Sequence, residues 1–152
     1  MNYERVNIVK MDIYAYKEIL KENGYKLTSQ RKAILKILME NKSEHLSCDD
    51  IFKITSVEHP EIGIATIYRT LQLFEELGMV YKLNFNDGFS RYELDLGTEE
   101  HHHHHLICLS CGKVIEVKVD LLDSLEQKIE KNDNFTIVDH NVKFYGYCSD
   151  CK

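Results

Sequence analysis

Apolar residues recur at helical spacing through the first half of the chain. Ile13, Tyr16, Ile19 and Leu20 mark one helix, which stops at Gly24, a residue suited to the left-handed conformation that ends helices. Thr28 stands where it can cap a second helix that carries Ala33, Ile34, Leu35, Ile37 and Leu38. Ser47 followed three residues later by Asp50 resembles a capping box and opens a third helix around Ile51, Phe52 and Ile54, which Pro60 closes. A fourth helix is expected from about Ala65 to Leu77, ending at Gly78, with Ile67, Leu71 and Phe74 as its buried stripe. The pattern then changes period. Met79 to Phe85 and Phe89 to Leu94 are rich in Val, Tyr and Phe and are joined through Asn86-Asp87-Gly88, a hairpin signal.

Three helices, a fourth of recognition type and a β-hairpin make a winged helix-turn-helix. The fourth helix leaves Ala65, Arg69 and Gln72 on the face opposite its apolar stripe, with Tyr68 at the margin. Small, aromatic, cationic and amide groups so placed suit a groove of DNA, touching phosphates and base edges. A solvated helix face is the ordinary alternative for such a helix, and the hairpin that follows favours the DNA-reading one.

Residues 96 to 100 read as a polar, glycine-containing linker, dividing the chain into a winged-helix domain over 1–96 and a second domain over 97–152. The second domain reads as strand (His101 to Leu109), turn, strand (Val114 to Val119), helix (about Leu121 to Asn132, with Leu122, Leu125 and Ile129 on one face) and strand (Thr136 to Tyr147). The fold class is therefore α+β: a winged helix-turn-helix followed by a small α/β dimerisation domain. A unit of about 55 residues has a small core, so a structural metal and self-association are both expected supports.

The chemistry is concentrated in that domain. Cys108 and Cys111 form one Cys-x-x-Cys pair, Cys148 and Cys151 another, and five consecutive histidines, His101 to His105, precede the first. Thiolates and imidazoles are the side chains that best hold late divalent metals. Four thiolates can close around one tetrahedral Zn²⁺; a redox-active pair is the alternative, weakened by there being two pairs. Cys48, in the first turn of a helix, is expected to pack rather than ligate. In an extended strand His103 and His105 share one face and His102 and His104 the other, so that one strand serves two metal sites. A solvated, weakly chelating histidine patch is the alternative.

The net charge of −6 argues against a protein that holds nucleic acid by bulk electrostatics alone. The acidity is uneven: 13 Lys and Arg against 15 Asp and Glu over residues 1–96, and 6 against 10 beyond, where bound cations would offset it. No apolar stretch long enough to span a membrane is present, and Met1 to Asp12 does not read as a secretory signal. A cytoplasmic, reducing location is expected, in which paired cysteines hold metal. His59-Pro60-Glu61 followed by a Cys-x-x-Cys superficially suggests a zinc deaminase, but Ile107 rather than proline precedes Cys108, and the second cysteine pair would close the coordination shell. A metal-storage protein would explain the histidines but not the winged helix.

The run His101-His-His-His-His-Leu-Ile-Cys-Leu-Ser-Cys-Gly-Lys-Val-Ile-Glu116, the segment Gly63-Ile-Ala-Thr-Ile-Tyr-Arg69 and Tyr145-Gly-Tyr-Cys148 resemble the ferric uptake regulator (Fur) family of metal-dependent repressors, from about Lys17 to Cys151. The resemblance implies a homodimer joined through its C-terminal domains, with winged helices on a palindromic double-stranded operator, and no enzymatic activity. It places Lys26, Ala65, Thr66, Tyr68, Arg69 and Gln72 at the DNA. It implies structural Zn²⁺ on Cys108, Cys111, Cys148 and Cys151, and a regulatory ion, Fe²⁺ or another divalent metal such as Mn²⁺ or Zn²⁺, on His45, Glu93, His103, His105 and Glu116. A further family site maps to His102, His104, Asp123 and His140, though many relatives carry Asp at position 104 and Glu at position 123. His140 has a second reading, as a strand residue sharing a face with Val138 and Val142. The peroxide-sensing branch typically has Asp where Glu116 stands, so Glu116 favours iron-responsive repression over peroxide sensing or zinc sensing.

Overall fold

The structure is a computed structural model that describes residues 12–42, 44–95, 104–117, 119 and 121–152. The linker at 96–100 and His101 to His103 lie outside the described residues. The chain divides into two compact units, Met1–Thr98 and Glu99–Lys152. No helix among the described residues is long and apolar enough to cross a membrane.

The first unit is built from α1 (Ile13–Glu22), α2 (Ser29–Glu40), β1 (Leu46–Ser47), α3 (Cys48–Glu58), α4 (Ile64–Glu76), β2 (Val80–Asn84) and β3 (Ser90–Leu94). The helix boundaries follow from local chemistry. Asp12 accepts from the amides of Tyr14 and Ala15, and Thr28 from that of Arg31. Ser47 and Asp50 form a complete capping box: the Asp50 amide donates to Ser47 Oγ at 3.2 Å and the Ser47 amide to Asp50 Oδ2 at 3.0 Å. Burial alone would raise the Asp50 pKa, but the Ser47 hydroxyl and amide, helped by Lys53 and Arg91, hold it below the usual value. Leu77 closes α4 and Gly78 follows at φ +67°, the left-handed region that favours glycine.

The expected stripe of α4 is the unit's core. Ile67, Leu71 and Phe74 are fully buried and cluster with Tyr16, Leu20, Ile34, Leu35 and Ile51. Tyr16 also donates its hydroxyl to the Asp95 carbonyl at 2.6 Å, tying α1 to the end of β3. The hairpin pairs Val80 with Leu94 through Asn84 with Ser90. At its tip Asn86 takes φ +61°, and Arg91 bridges to Asp87 at 2.6 Å while lying over the Phe85 ring. One strand escaped the sequence pattern: Leu46 and Ser47 pair with Tyr92 and Arg91, giving a sheet of order β1-β3-β2. Two residues are too few to show a period of two.

The second unit comprises β4 (His104–Cys108), β5 (Val114–Val117), α5 (Asp123–Asp133) and β6 (Lys143–Gly146), in a sheet of order β5-β4-β6. β5 is antiparallel to β4, and β6 returns parallel to it after the α5 crossover. The expected last strand is shortened: residues 135–142 are irregular and only Lys143–Gly146 pairs. Side chains take backbone donors there that a ladder would have used, since the Ile137 amide donates to Glu130 Oε1 and the His140 amide to Asp139 Oδ1, each at 2.8 Å. His140 is therefore not a strand residue. No residue of α5 is buried, and Leu125 and Ile129 face outward.

Candidate metal centres and nucleic-acid interface

The parallel pairing of β4 with β6 sets Cys108 level with Gly146, so the turn after each strand opens at the same end of the sheet. Those turns are the two cysteine knuckles. In the first, Gly112 takes φ +72° while its amide donates to the Cys108 carbonyl; in the second, the Cys151 amide donates to the Cys148 carbonyl. The four sulfurs lie within 4.8 Å of one another, and none is in a disulfide. Cys111 Sγ and Cys148 Sγ are 3.7 Å apart, against about 3.8 Å for two thiolates on a tetrahedral Zn²⁺ with bonds of about 2.3 Å. Backbone amides of Cys111 and Cys148 directed at Cys108 Sγ lower that thiol's pKa to about 6, while Cys151, although hydrogen-bonded to Ser110, is pushed up by Cys148 and Cys111, so the four thiols share their protons as one cluster. The residues fit zinc. Cys48 is separate from them: it is buried, and burial raises its thiol to about 11, as packing rather than ligation requires.

β4 shows the expected alternation at both of its described histidines. His105 stands opposite Glu116, with ligand atoms within 4.8 Å, whereas His104 stands opposite Val117 and turns to the other face. Both are buried. His103, assigned with His105, lies outside the described residues, as does His102.

The first unit holds a pair of its own. Leu46 is level with Tyr92, so His45, one residue before, comes beside Glu93, one residue after; their ligand atoms are also within 4.8 Å. The His45 ring packs edge-on against Phe85 at 5.9 Å between centroids. Of the five residues expected at the regulatory ion, four thus form two pairs, one in each unit.

The remaining set comes together only in part. The rings of His104 and His140 lie 5.3 Å apart. Asp123, expected with them, instead accepts from Gln127 Nε2 at 3.2 Å, and the carboxylate that meets His140 Nδ1 is Glu126's. Asp123 and Glu126 are three apart on one helix, and no sequence pattern chooses between them.

On the opposite face of α4 from the core, Ala65, Tyr68, Arg69 and Gln72 are exposed and Thr66 is half-buried; Lys26, just before α2, is exposed as well. Tyr68, Arg69 and Gln72 line a cleft of about 480 Å³ whose other wall is the wing, through Lys82, Phe89 and Ser90. Gln72 donates to Glu76 at 3.1 Å.

The ferric uptake regulator family model matches residues 22–145. The chain belongs to the ferric uptake regulator family. It is 47% identical over 135 residues to the ferric uptake regulation protein of Bacillus subtilis, spanning 89% of this chain and 91% of that protein. The crystal structure of the Vibrio cholerae ferric uptake regulator superposes with a TM-score of 0.74 at 36% identity, covering 88% of this chain and 99% of that one. The Helicobacter pylori Fur structure, described as having three functional metal-binding sites, gives 0.80 at 26% identity, covering 91% and 89%. Members of the Fur family are transcriptional regulators and DNA-binding repressors, not enzymes, which removes the deaminase reading.

Proposed function

We propose that this Fur-family chain is a homodimeric, iron-responsive repressor that binds a palindromic operator when its regulatory site is loaded. The observation that carries the reading is the set of two imidazole–carboxylate pairs, His45 with Glu93 in the first unit and His105 with Glu116 in the second, beside a separate cluster of four cysteines. With His103, the two pairs supply a mixed nitrogen and oxygen ligand set suited to Fe²⁺, Mn²⁺ or Zn²⁺. When bound, the ion supplies a charge-compensating link between ligands of both units. Full coordination by His45 and Glu93 together with His103, His105 and Glu116 is possible in one relative orientation of the units only, so loading selects that orientation by differential affinity. In it Tyr68 and Arg69, with Ala65, Thr66 and Gln72, meet the major groove and Lys26 lies near the minor groove. Dimerisation through the second unit accounts for an α5 with no buried residue and for the exposure of Leu121, Leu125, Ile129 and Phe144. Iron as the ion rests on the names of the relatives and on Glu116.

The test is operator binding against random DNA in chelated buffer, titrated with each divalent metal, with sedimentation reporting the dimer. Metal-stimulated binding to a Fur-type palindrome is expected, strongest with Fe²⁺ or Mn²⁺ under anaerobic conditions. Equal affinity for both DNAs at every metal concentration refutes the proposal.

A further inference from the structure

The wing tip and the first unit's imidazole ligand meet at one aromatic ring. Phe85, at the end of β2, is 2% exposed. The His45 ring packs against it edge-on, 5.9 Å between centroids and 74° between planes, and the guanidinium carbon of Arg91 lies 5.4 Å from its centroid. Arg91 Nη2 in turn donates to Asp87 Oδ2 at 2.6 Å, and the other oxygen of that carboxylate accepts from the Phe89 amide at 3.1 Å. We propose that Arg91, Phe85 and Asp87 are positioning residues for the regulatory ion: the clamp at the wing tip holds the Phe85 ring, and the ring sets the orientation of the His45 imidazole. The inference rests on the reading of His45 as a regulatory ligand.

His45 precedes the first paired residue of β1, Leu46, and the ladder fixes its backbone without fixing its ring. A ligand already oriented in the metal-free chain binds an ion more tightly than one that must be ordered on binding, by a factor of about two to ten. The clamp is built to supply that order. The Arg91 side chain is 16% exposed, and its buried Nη1 has no hydrogen-bond partner among the described residues, so the Asp87 carboxylate and the Phe85 ring hold the group in place. The bond from Arg91 also keeps the Asp87 pKa below the usual carboxylate value. The same tip carries Gly88, Phe89 and Ser90 to the cleft that Tyr68 and Arg69 line. By linkage, whatever favours the clamped tip favours ion uptake at His45, and uptake favours the clamped tip.

The experiment uses the full chain with its cysteine cluster loaded with Zn²⁺. Co²⁺ is titrated in and followed by visible absorption, the regulatory component being the part that His45→Ala removes. Nuclear Overhauser contacts between the His45 and Phe85 rings are measured before cobalt is added. Arg91→Gln is expected to weaken regulatory uptake by about threefold or more and to lose those ring contacts. Removing a positive charge near a cation site would by charge alone strengthen uptake, so the sign separates positioning from electrostatics. Phe85→Leu should show the same weakening, whereas Phe85→Tyr, which keeps the ring, should stay within about twofold of wild type. Zinc content and the thermal unfolding midpoint report whether each variant folds. Should Arg91→Gln or Phe85→Leu fail to fold, Asp87→Asn is expected to weaken uptake together with the ring contacts, and retention of both overturns the inference. Uptake unchanged or tighter in Arg91→Gln and Phe85→Leu, with His45→Ala still lowering it, overturns the clamp and leaves the regulatory reading standing. Uptake unchanged in His45→Ala overturns both.

Discussion

His105 on β4 stands directly opposite Glu116 on β5, and its neighbour His104 stands opposite Val117. Adjacent histidines in one strand are thereby committed to different chemistry, because successive side chains of an extended backbone leave on opposite faces. Histidine-to-alanine substitutions should separate accordingly. His105→Ala, and His103→Ala with it, is expected to abolish metal-activated operator binding. His104→Ala and His102→Ala should leave most of it intact, and all four should keep the cysteine-bound zinc. Fluorescence anisotropy on labelled operator, with and without Fe²⁺ or Mn²⁺, reads the difference. Loss confined to His102 and His104 would reverse the roles of the two faces.

Tyr68 and Arg69 are exposed on α4 while Ile67 between core residues is fully buried, so the two can be truncated without opening the core. Each alanine substitution should weaken operator binding by about 1–3 kcal/mol and leave metal content unchanged. Operator affinity equal to wild type in the double variant would move the reading surface elsewhere.

The capping box makes the first unit's stability depend on acid in a defined direction. Asp50 has its folded pKa held below the unfolded value of about 3.9, so its contribution is present at neutral pH and is lost as pH falls through the folded value. Asp50→Asn should destabilise the first unit by about 1 kcal/mol at pH 7, and the gap to wild type should shrink toward pH 3. Denaturant unfolding at the two pH values measures it; a gap that widens on acidification contradicts the assigned cause.

Cys108 and Cys148 close the two knuckles onto one cluster, and Cys108→Ser or Cys148→Ser should remove one zinc per chain. Because metal binding and folding are coupled in a unit with so few buried residues, the C-terminal unit should unfold or the protein become monomeric. Zinc analysis with size-exclusion chromatography tests this, and full zinc content with unchanged size in both variants would refute it. Excess iron should not rescue either variant.

Much of this was determined by sequence alone, where the deciding physics is local. Thr28 and Ser47 cap the helices they precede, since a cap needs only its own next three amides. The stripe of Ile67, Leu71 and Phe74 follows from helical geometry, and the separation of His104 from His105 from strand geometry. Two Cys-x-x-Cys pairs announce a tetrahedral site wherever the chain brings them together. The tertiary structure decided what depends on partners distant in sequence. Leu46 and Ser47 become a strand because Tyr92 and Arg91 lie alongside. Within residues 135–142, Glu130 takes the amide of Ile137 and Asp139 that of His140, bonds that only the folded segment brings about. Between Asp123 and Glu126 the helix offers two carboxylates one turn apart, and the position of His140 across the crossover selects the second. Strand and helix periods specify which face a side chain takes; which atom it meets there is set by segments that only the folded chain brings within reach.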